Sequence, residues 1–183
     1  MRIKMPHIPY IANKIILDIS NSSFVELKDN IDKLNHNAKA LLEADLLQEK
    51  KLDERVKELL EEQEEEMEFM QVDRKNMFWL VKKKLAGEFG VILNNEDRHN
   101  NLAHLILQDF IENDFINFSV SENRVKNLIF SSIENYLKNY ESIEDEVSEK
   151  ISHYKRKLIP GSEEYELVFD KLYQEELKKK GML

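Results

Sequence analysis

The sequence predicts an all-α, elongated helical protein made of two tandem three-helix units with pseudo-two-fold symmetry, each with one long central helix. Three observations support this fold class. The 183 residues include only 4 Gly and 3 Pro, so residues that break helices are scarce. Apolar residues recur at helical spacing over two long stretches. Apolar positions also match apolar positions when the chain is shifted by 91 residues along itself.

The internal repeat runs through three segments in the same order. Ile15 matches Ile106 near the start of the two copies, and Phe24 matches Phe115. Further matched pairs are Leu52 with Ile143, Val56 with Val147, Phe78 with Phe169 and Gly90 with Gly181. We therefore predict an N-terminal unit over residues 1–92 and a C-terminal unit over residues 93–183. The connection at residues 90–95 is short and half apolar. We therefore expect its apolar residues to be buried between the units, and the units to pack as one body.

The first unit begins with a predicted helix over residues 6–20. The polar cluster of Asn21, Ser22 and Ser23 ends this helix, and a short extended segment follows at residues 24–27. The apolar stripe of the predicted helix has helical spacing and consists of Ile8, Ile11, Ile15 and Ile19.

The second and third predicted helices complete the first unit. Asp29 or Asn30 is a suitable N-cap for a long helix that runs to about residue 67 without Gly or Pro. The polar Glu49 interrupts the apolar stripe of this helix. The third helix is capped by Asp73 and should stop at Gly90.

The second unit repeats the plan. We predict a helix over residues 97–113 and a long helix over residues 121–158, which the pair Pro160 and Gly161 should end. Ser162 is the predicted N-cap of the last helix. The expected inward residues of that helix are Leu167, Val168, Leu172 and Leu177.

Composition excludes several classes of function. The absence of Cys rules out disulfides, thiolate catalysis and cysteine-ligated metals, and fits a reducing cytoplasm. A formal net charge of −9 disfavours non-specific binding to nucleic acid or anionic lipid. No apolar run reaches the ~20 residues that a transmembrane helix needs. We therefore expect a cytoplasmic protein with no membrane partner.

Catalytic and metal-binding patterns are weak. His99 and His104 are five residues apart, a poor fit to the i, i+4 spacing of a zinc pair on one helical face. We expect His99 to be exposed and His104 to be half-buried at a helix interface. The sequence has no nucleophile elbow and no phosphate-binding loop. These observations predict no enzyme activity, no metal and no cofactor.

Charged and aromatic clusters have simple structural interpretations. The acidic run over residues 61–68 and the lysines at 82–84 are typical of solvated helix faces. Trp79 and its apolar neighbours Met70, Met77 and Phe78 are interpreted as core, with an exposed partner surface as the alternative.

The basic stretch near the end of the chain is the most suggestive. Tyr154, Lys155, Arg156 and Lys157 precede the predicted helix start at Ser162, and together they fit a nucleic-acid or phosphate ligand. Basic residues near a helix C-terminus are also expected from the helix dipole alone.

The chain resembles a family of bacterial proteins known as domain of unknown function number five hundred and seven. The segments that carry the resemblance are residues 8–15, 77–86, 89–93, 96–98 and 102–107, and then 123–125, 154–157, 160–162 and 175–176. The resemblance implies a cytoplasmic bacterial protein but brings no activity, cofactor or catalytic residue.

Polar residues in these segments form the candidate binding surface. Arg98 and Arg124 also fit a structural role in which they pair with acids and lock the fourth and fifth predicted helices together. The full set is Arg98, His104, Asn123, Arg124, Tyr154, Lys155, Arg156, Lys157, Gly161 and Ser162.

The predicted function is that of a non-catalytic binding or scaffold protein acting through protein–protein contacts. The partner is an unknown protein or a second copy in a homodimer. Nucleic-acid or phosphate binding at residues 154–157 is the alternative hypothesis.

Overall fold

A computed structural model describes residues 1–154 and 156–180, and these are mostly helical. The helices are α1 (Ile8–Asn21), α2 (Ile31–Glu62), α3 (Glu64–Phe69), α4 (Arg74–Leu85), α5 (Asn95–Glu112), α6 (Glu122–Ser152) and α7 (Glu163–Lys179). A 3-10 turn at Met5–His7 precedes α1, and β1 (Val25–Leu27) and β2 (Ile116–Phe118) form a small sheet. The all-α prediction is confirmed.

The element order repeats along the chain, because α1, β1, α2 and α4 are followed by α5, β2, α6 and α7. The two strands pair antiparallel, with Glu26 opposite Asn117, which is the residue 91 positions later. On either side, Val25 faces Phe118 and Leu27 faces Ile116, so the pairing is symmetric about the central pair. The sequence predicted the first extended segment but not the second strand or the pairing. A two-fold relation between the complete units stays a prediction.

The central core is built from both units. Helices α1 and α5 pack against α6, and α1 and α5 also pack against α2. The core includes many residues with equivalents 91 positions later: Ile11 and Leu102, Ile15 and Ile106, Ile19 and Phe110, Leu34 and Val125, and Ala38 and Ile129. All of these side chains are at most 1% exposed. Neither unit therefore buries this face alone, although the boundary at residue 92 stays a prediction.

Two smaller cores extend from the ends of the long helices. The last part of α2 packs on α4 around Leu52, Val56 and Leu60. The last part of α6 packs on α7 around the equivalent residues Ile143, Val147 and Ile151. The sequence repeat therefore also describes the outer parts of the fold.

The long helices end earlier than predicted. Helix α2 stops at Glu62 rather than at residue 67, and α3 begins after Gln63. Like charges four residues apart in the acidic run weaken a continuous helix, whereas a new N-terminus favours three glutamates in its first turn. Helix α6 stops at Ser152 rather than at residue 158. Here Ser152 Oγ and His153 Nδ1 both donate hydrogen bonds to the carbonyl oxygen of Glu149, in competition with the backbone.

Helix starts were predicted better than helix ends. The side chains of Asn30, Asp73 and Ser162 each accept a hydrogen bond from a first-turn backbone N–H, which confirms these N-caps. Asn94 caps α5 in the same way, so this helix begins at Asn95, two residues before its expected start. Two other predictions were wrong. Helix α4 stops at Leu85, before Gly90, and Leu167 of α7 is 67% exposed rather than inward.

No helix within residues 1–154 and 156–180 combines the length and apolarity required to cross a bilayer.

Candidate functional site

A buried ionic cluster joins α2, α4 and α5. Lys82 Nζ of α4 lies 2.7 Å from Glu49 Oε1 of α2 and 2.6 Å from Asp53 Oδ1. Arg98 of α5 donates hydrogen bonds to Asp45 and to Glu49. Lys82, Glu49 and Arg98 are at most 5% exposed, so the sequence interpretation of Lys82 as solvated was wrong. Lys82 meets two carboxylates, so its buried charge is compensated.

Charge pairing outweighs burial in this cluster. Burial opposes ionisation of Glu49, but hydrogen bonds from Lys82 and Arg98 hold its pKa below the ordinary value. Burial likewise opposes the charge of Arg98, and hydrogen bonds to Asp45 and Glu49 raise its pKa. Arg2 adds a further contact, with Nη2 2.6 Å from Glu49 Oε2. The network thereby connects the N-terminal segment to three helices.

An aromatic cluster occupies the equivalent place in the second unit. Adding 91 to Asp45, Glu49 and Lys82 gives three tyrosines, and Arg98 is itself the equivalent of His7. The ring of His7 lies 4.1 Å from that of Tyr140, which lies 5.0 Å from that of Tyr173. The full aromatic cluster is His7, Tyr136, Tyr140 and Tyr173. Each unit therefore completes its cluster with a residue from the start of the other unit.

Some polar atoms of the aromatic cluster have no hydrogen-bond partner within residues 1–154 and 156–180. His7 Nδ1 accepts the N–H of Lys4 at 3.2 Å, so the neutral ring carries its proton on Nε2. That atom and the hydroxyl of Tyr136 are buried with no hydrogen-bond partner among the described residues. Burial raises the pKa of Tyr136 and of Tyr173, with a smaller contribution from the nearby Tyr140. The cluster is thus neutral, unlike its ionic counterpart.

A polar depression of about 460 Å³ lies between α5 and α6. His99 and Glu134 line it, and His99 Nδ1 is 2.6 Å from Glu134 Oε1. His99 is 1% exposed while His104 is exposed, which reverses the sequence expectation for the two histidines. His99 follows the first turn of α5 on the face that meets α6, and this explains its burial.

The predicted surface residues lie apart from one another. Arg98 is inside the ionic cluster and pairs with acids of α2, so it does not lock α5 to α6 as the structural alternative proposed. His104, Asn123 and Arg124 are exposed on α5 and α6. The guanidinium of Arg124 stacks 4.8 Å from the ring centre of Phe24 rather than pairing with an acid.

The basic stretch lies between α6 and α7. Tyr154 is 44% exposed and lines a surface depression of about 630 Å³. Arg156 Nη1 lies 3.0 Å from Glu164 Oε1, Lys157 is exposed, and Gly161 has a positive φ of 84°. Lys155 lies outside the described residues. A phosphate-binding arrangement at this stretch stays a prediction.

Helices α3 and α4 expose large apolar side chains. Phe69 is 88% exposed, Met70 62%, Trp79 53% and Leu80 56%. The expectation that Trp79 and Met70 are core was therefore wrong, and the exposed alternative is the better interpretation. Lys82 Nζ lies 5.3 Å from the ring centre of Trp79, so this ring covers the ionic cluster with one face and presents the other to solvent.

The family described as protein of unknown function (DUF507) matches residues 1–182. The chain belongs to the DUF507 family. Comparison with curated proteins finds no match. The DUF507 match confirms the resemblance identified from the sequence, which already included segments of both units.

Metal binding has no visible donor set in this DUF507 protein. Over the described parts of the chain, no group of three or more His, Asp or Glu side chains is placed to hold a metal ion. Sequence reasoning missed both buried clusters, although a signal was present: polar Glu49 falls inside an apolar stripe, and Lys82 matches the aromatic Tyr173.

The buried His7 predicts a pH dependence of stability in the DUF507 protein. Burial, aided by the charge of Lys4, lowers its pKa from 6.5 to about 4. The unfolded chain therefore binds a proton first, and the free energy of unfolding should fall as pH drops from about 6.5 to about 4. The loss should be about 3 kcal/mol, at 1.36 kcal/mol per pKa unit.

Urea unfolding of His7→Phe across this pH range tests that expectation. The substitution keeps an aromatic ring but cannot bind a proton, so the slope of stability against pH should be smaller than in the parent. The matched control, His104→Phe, changes an exposed histidine and should keep the parent slope. Equal slopes for His7→Phe and the parent would rule out His7 as the source.

Proposed function

We propose that this protein is a non-catalytic binding module that contacts another protein through the exposed apolar face of α3 and α4. The observation that carries the proposal is the exposure of Phe69, Met70, Trp79 and Leu80. Exposed apolar groups of this size are typical of interaction surfaces, and Trp is enriched among residues that dominate binding energy.

Comparison of the two units strengthens the proposal. The positions equivalent to Phe69 and Met70 are Pro160 and Gly161, and those equivalent to Trp79 and Leu80 are Asp170 and Lys171. The second unit packs α7 on α6 without large apolar side chains at these four positions, although it exposes Ile159 and Leu167 elsewhere. The fold therefore does not require these exposed side chains, and a binding role explains them.

A protein partner fits this face better than nucleic acid does. The glutamates of residues 61–68 lie beside the apolar side chains and would repel a phosphate backbone. Nucleic-acid or phosphate binding at residues 154–157 is the alternative proposal. Pairing of Arg156 with Glu164 already occupies one of the cations that it needs.

Site-directed photo-crosslinking tests the contact surface. A benzoylphenylalanine placed at position 80 of the full chain should give one discrete product on illumination in the native cells. The same group at position 171, the equivalent exposed position of α7, is the matched control and should give no such product. Mass spectrometry should map the bonded partner residue to a single segment of one protein.

The product at position 80 should also depend on the neighbouring tryptophan. Trp79→Ala should reduce its yield strongly, because interface tryptophans commonly contribute more than about 1 kcal/mol of binding energy. Identical product patterns at positions 80 and 171, or no product at position 80, would exclude this surface as the binding site.

A further inference from the structure

We propose that the partner of the α3–α4 face is a second copy of this chain, bound around a two-fold axis. This inference rests on the proposed function and adds the identity of the partner. It follows from the charges that flank the apolar side chains along the chain, which are negative before Phe69 and positive along α4.

The first side of the face is acidic. Residues 61–66 and 68 line a surface depression of about 590 Å³, and all of them except Gln63 are glutamates. Arg74 pairs with Glu64 and Arg55 approaches Glu62. The remaining carboxylates have no ion-pair partner within the described ranges. They belong to Glu61, Glu65, Glu66 and Glu68.

The second side of the face is basic. Lys75, Lys83 and Lys84 of α4 are exposed, and no ion pair involves them in the described part of the chain. Phe69 and Met70 follow the acidic run, and Trp79 and Leu80 lie between these lysines along α4. The segment from residue 61 to residue 84 thus combines unpaired carboxylates, exposed apolar side chains and unpaired ammonium groups.

A two-fold axis satisfies both charged sides at once. In such an interface the same surface is used by both copies, so the glutamates of each copy can face the lysines of the other. The apolar side chains then meet near the centre of the contact. A basic helix from another protein would instead leave the three lysines opposite like charges. Each copy carries a net charge of −9, but physiological salt screens the repulsion between exposed charges that are more than about 8 Å apart, so acids remote from the contact oppose association little.

Charge reversal gives a sharp test on the full chain. The first variant carries Glu61→Lys and Glu68→Lys, both near helix C-terminal ends where a cation suits the dipole. The second variant carries Lys75→Glu and Lys83→Glu on α4. None of the four side chains has an intramolecular ion pair in the described residues, so both variants should fold, as far-UV circular dichroism will show.

Sedimentation velocity should show a concentration-dependent dimer for the parent chain and monomers for each variant alone. An equimolar mixture of the variants should regain the dimer, since lysines then face glutamates at both junctions. The single tryptophan, Trp79, reports the same event, because its emission should shift to shorter wavelength as the dimer forms.

Three results would overturn the second-copy proposal: a parent chain that stays monomeric up to millimolar concentration, variants that dimerise like the parent, or a mixture that stays monomeric. The proposed function is tested separately by crosslinking. A monomeric parent that still crosslinks at position 80 to a different protein refutes the dimer and keeps the binding surface. A monomeric parent with no crosslink at position 80 refutes both.

Discussion

Replacement of Glu49 by Ala should destabilise the protein by about 3–5 kcal/mol, because removal of one partner leaves buried charges uncompensated. Lys82 and Arg98 would each lose a hydrogen bond in a region where both are at most 5% exposed. Urea unfolding at neutral pH measures the change. Glu43→Ala, at an exposed position of the same helix, is the control and should change stability by less than about 0.5 kcal/mol.

A double substitution separates charge pairing from packing. Glu49→Met with Lys82→Met removes both members of the buried pair, so its cost should be clearly smaller than the sum of the single substitutions. Additive costs would show that the two groups act independently.

The pKa of Glu49 predicts how stability should change with pH. Because this pKa lies below its ordinary value of 4.5, the stabilisation is complete above that pH and is lost as pH falls through the folded-state pKa.

Replacement of Phe110 by Ala should have a comparable effect, a loss of about 3–5 kcal/mol in the free energy of unfolding. Phe110 is 0% exposed in the central core, where its ring lies 6.2 Å from that of Phe115. The substitution leaves a cavity at the contact between the two units. A single unfolding transition at lower urea concentration is expected, since both units share this core.

Leu105→Ala provides the matched comparison for that core substitution. Leu105 lies on the same helix but is 42% exposed, so its loss should cost well under half as much. A Phe110→Ala variant as stable as Leu105→Ala, or one with two separate transitions, would contradict a core shared between the units.

Much of the fold could be predicted from the sequence because two physical signals are local. Helical spacing of apolar residues identifies the inward faces of α1, α2, α5 and α6, and capping residues such as Asn30 and Ser162 mark helix starts. Helix ends depend on competition among nearby groups. Helix α2 ends inside a run of glutamates that repel one another, and hydrogen bonds to the carbonyl of Glu149 accompany the end of α6. Neither effect appears in an apolar pattern.

The candidate site was harder to predict because it depends on contacts between distant segments. Lys82 sits in a run of three lysines, and only the packing of α4 on α2 shows that it is buried beside Glu49. Trp79 is a large apolar residue of the kind that usually lies in a core, yet on α4 its side chain is exposed to solvent.

The symmetric pairing of β1 with β2 has a consequence for how the two buried clusters could differ. If two separate molecules of one such unit paired through the same strand, the two buried clusters would have to contain identical side chains. A single polypeptide has no such constraint, since each half is encoded independently. One place holds Lys82 and Glu49, and the other holds Tyr173 and Tyr140. The covalent connection therefore allows one end of the molecule to depend on ion pairing while the other depends on ring packing.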